Sequence, residues 1–260
     1  MKVDVYLPSG DGCSITVSPE MLVKELKAAA QHHFQRRLTL SAKGQQLDLT
    51  ATLSEAGLRD GDVVDSVVQL GKLAATARAF AWYAHGDEVV TWGAAGFGGD
   101  SSKVQKQLRN VQHIQATDGA FAAILESGAV VTWGDPGLGG DSSQVQEQLR
   151  SVQHIQATRD GAFAAILESG AVVTWGDPEW GGDSSQVQEQ LRNVRHIGAT
   201  AAAFAAVLAS GSVVTWGDPE FGGDSSQVQE QLRNVRHIGA TAAAFAAVLA
   251  SGSVVTWGDP

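Results

Sequence analysis

One cysteine, Cys13, stands in 260 residues. No internal disulfide framework can hold this chain, and a lone thiol suits a reducing compartment. Net positive charge is missing too: the formal balance is −10. Residues 1–70 carry 7 basic and 9 acidic side chains, and residues 71–260 carry 11 and 19. Such a chain is a poor electrostatic match for nucleic acid, whose affinity rests largely on Lys and Arg against phosphate, or for anionic lipid. The basic clusters Arg36-Arg37 and Arg192…Arg195 are too short to reverse that. No apolar run approaches the length that spans a bilayer. The N-terminus also lacks the charged-then-apolar order of a secretory signal. These absences lead us to expect an intracellular protein, cytoplasmic or nuclear, with no nucleic-acid and no membrane partner. Hydrophobic content of 43% against 18% charged excludes wholesale disorder.

What fills the chain instead is repetition. Gly181–Pro219 recurs residue for residue as Gly222–Pro260, and looser copies extend back to about Leu73. The marker Val-Val-Thr-Trp-Gly places Trp92, Trp133, Trp175, Trp216 and Trp257 at spacings of 41, 42, 41 and 41 residues. The extra residue falls in Thr158–Phe163, where a loop can absorb it. A unit of this length has no core of its own, so it folds by stacking and works through the surface that stacking builds.

Residues 1–70 stand apart from the repeat. Lys2–Leu7 alternates, Ser9-Gly10-Asp11-Gly12 is a turn cluster, and roughly Ser14–Val17 completes a hairpin. Ser18-Pro19-Glu20 reads as a helix start with Ser at the N-cap, and Leu22, Leu26, Ala29 and Ala30 as that helix's apolar face. Arg37–Ser41, Gln46–Leu47 and Val63–Gln69 read as further strands. This β-β-α-β-β-β order resembles the ubiquitin fold, as do the stretches Met1-Lys2-Val3, Arg37-Leu38-Thr39-Leu40 and Thr52-Leu53-Ser54-Glu55. The resemblance implies an α+β β-grasp domain over 1–70. Conjugatable members end in Gly-Gly, whereas Gln69-Leu70-Gly71-Lys72 runs on into the next domain. The family's binding patch centres on an isoleucine where this chain has Thr39, with Val67 beside it. These two residues are the head's candidate contacts.

Within one repeat, Val111–Thr117 has strand character, and Ala120–Leu125 is apolar on both faces. Ser127-Gly128 turns the chain into Ala129–Trp133, and Gly134-Asp135-Pro136 ends that strand. Asp141 or a following serine is expected to cap a short helix over Gln144–Leu149. Three strands and a helical turn per copy make a propeller blade. In this order the copies resemble the regulator-of-chromosome-condensation family: Ala122–Leu125, Ser127-Gly128, Val130–Gly134 and Gly137–Gly140 match its pattern. Two positions depart: Ala116-Thr117 replaces the family's Ala-Gly, and Phe121 its following His. The short period is closer to the three-stranded blades of the propeller-type β-lactamase inhibitor protein. The resemblance implies all-β propeller repeats over 71–260. Five strand pairs but only four Gly-Gly-Asp-Ser-Ser segments predict an incomplete propeller or open arc. Its free edges invite self-association.

The recurrent side chains read as architecture. His113, His154, His196 and His237 recur once per blade without the convergent acids or thiols of a metal centre. Asp100, Asp141, Asp183 and Asp224 lack the alternating acids of a calcium loop and suit capping. Gly96-Phe97-Gly98-Gly99-Asp100 has neither the Lys-Ser/Thr nor the βαβ context of a nucleotide loop. No Ser–His–acid set is singled out. No catalytic, cofactor or metal residues are therefore expected, and the chain reads as not an enzyme.

The positions that differ between copies are Phe97, Leu138, Glu179-Trp180 and Glu220-Phe221. A large apolar residue at the rim, preceded by an acid in two copies, forms a recognition spot or packs under its neighbour. Specificity is then confined to Glu88–Glu179, the variable loops and the head. The leading function is a protein-interaction scaffold or adaptor. The alternatives are a non-catalytic part of a ubiquitin-ligase system and, on the founding family member's activity, a guanine-nucleotide exchange factor.

Overall fold

The computed structural model describes residues 1–35, 38–68, 71–84 and 88–259. It comprises two compact units, Met1–Gly71 and Lys72–Pro260.

In the first unit β1 (Lys2–Tyr6) and β2 (Gly12–Thr16) form a hairpin, followed by α1 (Val23–Phe34), β3 (Leu38–Ala42), β4 (Gln45–Gln46) and β5 (Val63–Val68). The sheet order β2-β1-β5-β3-β4, with β1 and β5 parallel, is the ubiquitin-like β-grasp. Val23, Leu26 and Ala30 of the helix pack with Val3, Val5, Leu38, Leu40 and Val64. The helix starts later than Ser18-Pro19 suggests. Its N-cap is Leu22, whose N–H donates to Glu25 Oε2 at 2.9 Å, while Ser18 Oγ accepts from the Glu20 N–H in a separate turn. The buried face shifts accordingly to include Val23, and Ala29 is exposed. Arg36, Arg37, Gln69 and Leu70 lie outside the described residues.

Among the described residues of the second unit there are five three-stranded sheets. The first blade is β6 (Lys72–Ala75), β7 (Ala79–Tyr83) and β8 (Val90–Gly93); the second is β9 (Val111–Ala116), β10 (Ala120–Leu125) and β11 (Val130–Gly134). The third is β12 (Val152–Ala157), β13 (Ala162–Leu167) and β14 (Val172–Gly176). The fourth is β15 (Val194–Ala199), β16 (Ala203–Leu208) and β17 (Val213–Gly217), and the fifth β18 (Val235–Ala240), β19 (Ala244–Leu249) and β20 (Val254–Gly258). In each blade the middle strand runs antiparallel to both neighbours.

The doubly apolar middle strand is what makes stacking obligatory. On one face Phe121, Ala123, Val131 and Trp133 meet Ala79, Ala81, Tyr83 and Val89 of the preceding blade. On the other, Ala120, Ala122, Ile124 and Val130 receive Phe163, Ala165, Val173 and Trp175 of the next. Alanine keeps the sheets close, and Phe121 stacks on Trp133 with centroids 5.1 Å apart. Trp133 Nε1–H donates to the Gly98 carbonyl of the preceding blade at 3.0 Å, and the bond recurs at Trp175, Trp216 and Trp257. Only glycine fits at Gly98, which has φ +89° and where a Cβ would lie 2.5 Å from Phe121 Cδ2.

The short helix expected over Gln144–Leu149 is instead a pair of turns, Val145 N–H to Ser142 O and Gln148 N–H to Val145 O. Side chains hold the segment open. The Thr132 and Ser142 hydroxyls lie 3.0 Å apart, Ser142 Oγ donates to Gln146 Oε1, and Gln146 Nε2 donates to the Val130 carbonyl at 3.0 Å. The helical turns form earlier, at Ala95–Phe97, Pro136–Leu138, Pro178–Gly182 and Pro219–Phe221. Asp135, Asp177 and Asp218 open the last three by accepting an N–H two residues on.

The stack is an open propeller arc. Phe80, Trp92, Leu73 and Val90 stay exposed on the first blade, and Val248 and Val254 on the last. No described helix is long and apolar enough to cross a membrane.

Candidate interaction surface

The end of the blades that carries the helical turns is where the copies differ most. Each turn is tied to its own blade by a threonine hydroxyl: Thr76 to Phe97 O, Thr117 to Leu138 O, Thr158 to Trp180 O and Thr200 to Phe221 O, at 2.9–3.3 Å. Each also leans on the outer strand of the following blade. Phe97, Leu138, Trp180 and Phe221 are all half-buried, whereas Glu179 and Glu220 are exposed. Phe97 and Phe221 pack against the blade cores, and the Arg78 guanidinium lies over the Phe97 ring at 5.0 Å. Leu138 covers Gly119 and Gly161, where added Cβ atoms would meet its methyl carbons at 2.6 Å. Trp180 sits in the longest of the four turns, Pro178–Gly182, outside the buried clusters.

At the same end a cleft of about 380 Å³ opens among the inner-strand ends, lined by Thr117, Asp118, Arg159, Thr200, Ala201 and Thr241 with flanking alanines. A line of backbone bonds runs along it from blade to blade. Ala77 N–H donates to Asp118 O, Asp118 N–H to Arg159 O, Asp160 N–H to Ala201 O and Ala201 N–H to Ala242 O, at 2.7–2.9 Å. The extra residue of the third blade is therefore not slack in a loop. Asp118 and Ala201 each donate one bond and accept another, whereas the third blade divides those tasks between Arg159 and Asp160. These two also form an ion pair, Nε to Oδ1 3.1 Å. Sequence reasoning missed Asp118 and Arg159. The signal was present, because the residues after Ala-Thr read Ala-Arg, Asp-Gly, Arg-Asp-Gly, Ala-Ala and Ala-Ala along the five copies.

The recurrent histidines form a row across the inner strands. His113 stacks on His154 with centroids 6.4 Å apart, and His196 on His237 at 6.2 Å. Near-parallel rings do not aim their nitrogens at one point. Among the described residues no three His, Cys, Asp or Glu side chains gather around a common ion position. Burial pushes the His113 and His196 pKa values down; His154 adds to both, with Lys72 at His113 and His237 at His196. Asp100 and Asp141 titrate low because each accepts the N–H of the serine two residues on and then its hydroxyl. Burial and then Asp4 raise the Cys13 thiol, the wrong direction for a nucleophile.

In the first unit Thr39 and Val67 are register partners on β3 and β5, so they share one face of the sheet. Val67 is exposed there and Thr39 half-exposed; Tyr6 and Val63 add exposed apolar surface on neighbouring positions.

No family model and no curated protein matches the sequence. Among solved structures the chain is similar to yeast RCC1 (Prp20) in complex with Kap60. The identity is 16%, the match covers 72% of this chain and 55% of that one, and the TM-score is 0.50. A second is Prp20p from Saccharomyces cerevisiae, described with its binding to Gsp1p and histones, at 18% identity, 72% and 57% coverage and TM-score 0.47. A third is the ubiquitin of Caldiarchaeum subterraneum, at 23% identity, 27% and 94% coverage and TM-score 0.26. The first of these shows that the array has the fold of RCC1-type propeller blades. The β-grasp of the first unit rests on its own strand order. The chain spans about half the length of the propellers it matches.

Proposed function

We propose that this chain is a non-catalytic protein-interaction scaffold or adaptor, combining a ubiquitin-like head with a propeller platform, in a reducing intracellular compartment. One observation carries the reading. The copies agree wherever blades lock together, at Phe-Trp, Gly-Gly and Ser-x-x-x-Gln, and differ most at one end, where Trp180, Glu179, Leu138, Asp118 and Arg159 meet solvent or the cleft. Variation concentrated on one exposed end, over a framework that is copied, is what a recognition surface on a fixed scaffold looks like. That the yeast RCC1 structure was solved with Kap60 supports the use of this fold as a protein platform. The test is partner capture by the full chain from cell extract, compared with Trp180→Ala and Asp118→Ala/Arg159→Ala variants of unchanged unfolding midpoint. Loss of the same captured protein in the rim variants supports the scaffold. Identical capture by all of them, and by Val67→Asp in the head, overturns the assignment of the site.

A second copy of the chain is a further partner under this proposal, favoured by the apolar faces left open on the first and last blades. The open face of the fifth blade repeats the residues that the fourth buries against Phe245 and Trp257. Sedimentation across a range of concentrations tests it: a mass that stays monomeric throughout sinks the idea.

A further inference from the structure

At the opposite end, where Ser127-Gly128 and its counterparts turn, the same backbone bond joins neighbouring blades from the second to the fifth: the first valine of an inner strand donates its N–H to the turn glycine carbonyl of the blade before it. Between the second and third blades Val152 N–H donates to Gly128 O at 2.9 Å, and within the third blade Glu168 N–H donates to Ser151 O at 2.9 Å. Between the fourth and fifth, Val235 N–H donates to Gly211 O at 2.8 Å, and within the fifth Ala250 N–H donates to Asn234 O at 2.8 Å. The two seams share one backbone, and they differ in charge. The first forms a groove of about 290 Å³ whose exposed polar side chains include Gln112, Gln153, Glu126 and Glu168. The same four positions at the second seam are Arg195, Arg236, Ala209 and Ala250, all exposed. Two carboxylates are gone and two guanidinium groups have arrived.

The arginines are held in a particular way. Each lies at the register shift of its inner strand, between Val194 and His196 or between Val235 and His237, and so is displaced from the ladder. The next residues, His196 and His237, stack at 6.2 Å, and the two arginines take the positions that Gln112 and Gln153 hold in the lining of the first groove. The nearby Arg192 is engaged by Glu189.

We propose that the seam between the fourth and fifth blades receives an acidic segment of a partner protein, with carboxylates on Arg195 and Arg236. The proposal rests on the scaffold reading and gives one partner's chemistry. Guanidinium forks match carboxylates with paired bonds. A nucleic-acid backbone gains affinity from many phosphates; beyond this seam it would run towards Glu168 and Glu126, in a unit with 19 acidic and 11 basic side chains. The exact duplication is what builds the site, because each copy contributes one arginine.

The experiment is fluorescence anisotropy of a fluorescein-labelled hexaglutamate peptide against the full chain at low salt. Saturable binding is expected, falling about tenfold or more in Arg195→Gln/Arg236→Gln, an exposed pair whose loss leaves the unfolding midpoint in place. Gln112→Arg/Gln153→Arg/Glu126→Ala/Glu168→Ala should convert the seams on both sides of the third blade as well and raise the bound stoichiometry. No saturable binding, binding unchanged in the double arginine variant, or tighter binding of a six-nucleotide single strand through the same arginines overturns the proposal. Trp180→Ala should not alter hexaglutamate binding, so failure here and failure of the rim site are read separately.

Discussion

The first blade and the interior blades carry the same aromatic pair in opposite surroundings. Phe80 and Trp92 stack with centroids 5.5 Å apart, much as Phe163 and Trp175 do at 5.2 Å. Yet Phe80 is 41% and Trp92 44% exposed, against 0% for Phe163 and 5% for Trp175. The pairing is written into each hairpin, since Phe and Trp are register partners in every copy. Burial comes only from a preceding blade. Stability in such an array belongs to seams as much as to units.

The sharpest way to break that comparison is to truncate both phenylalanines. Phe163→Ala should cost about 3–5 kcal/mol, with the cavity adding to lost burial. Phe80→Ala should cost less than about 1 kcal/mol, as surface changes do. Urea unfolding followed by circular dichroism reads both, and equal losses would show that the open face is covered in solution. Next in size, Gly139→Ala puts a Cβ 2.6 Å from Phe163 Cδ2 at φ +94° and should cost about 1–3 kcal/mol. Gly96→Ala meets open space and should stay within about 0.5 kcal/mol.

A third pair sharpens the contrast by removing it. Gln146 and Gln105 serve equivalent latches inside their own blades, through Ser142 and Val130 or Ser101 and Val89. Replacing either by Ala should cost about 1–2 kcal/mol, alike in both blades, because the latch needs no neighbour. A large difference in thermal midpoint shift between them would relocate the latch to the seam.

The smallest effect concerns pH. His113 and His196 have folded pKa values below their ordinary value, so the unfolded chain binds more protons as acidity rises. Their contribution is complete above the unfolded pKa of about 6.5 and declines as pH falls through the folded values. His196→Gln should flatten the dependence of thermal midpoint on pH between about 7 and 5. An unaltered slope would show that the row does not titrate with folding.

The blade was legible in the sequence because its signals are local. Ala120–Leu125 is apolar on both faces, Ser-Gly turns the hairpin, and Pro136 ends it. The segment after Gly-Gly was misread as a helix because its Asp-Ser-Ser start fits a cap. Its Ser and Gln side chains instead reach back to the outer strand, a long-range contact that propensity cannot register. The rim residues stand out in the sequence by their variation, while Asp118 and Arg159 were passed over because an insertion looks like slack until its backbone bonds are traced.

By itself the sequence determined the period, the five hairpins, the Phe–Trp pairs and the separateness of the head, since each follows from alternation and turn residues within some forty positions. Tertiary structure alone decided which copies of those residues are buried, how the third blade divides its bonding between Arg159 and Asp160, and that His196 and His237 stack between neighbouring blades. A residue's type sets what it gains by losing water, but whether it loses water depends on a neighbour that the residue does not encode.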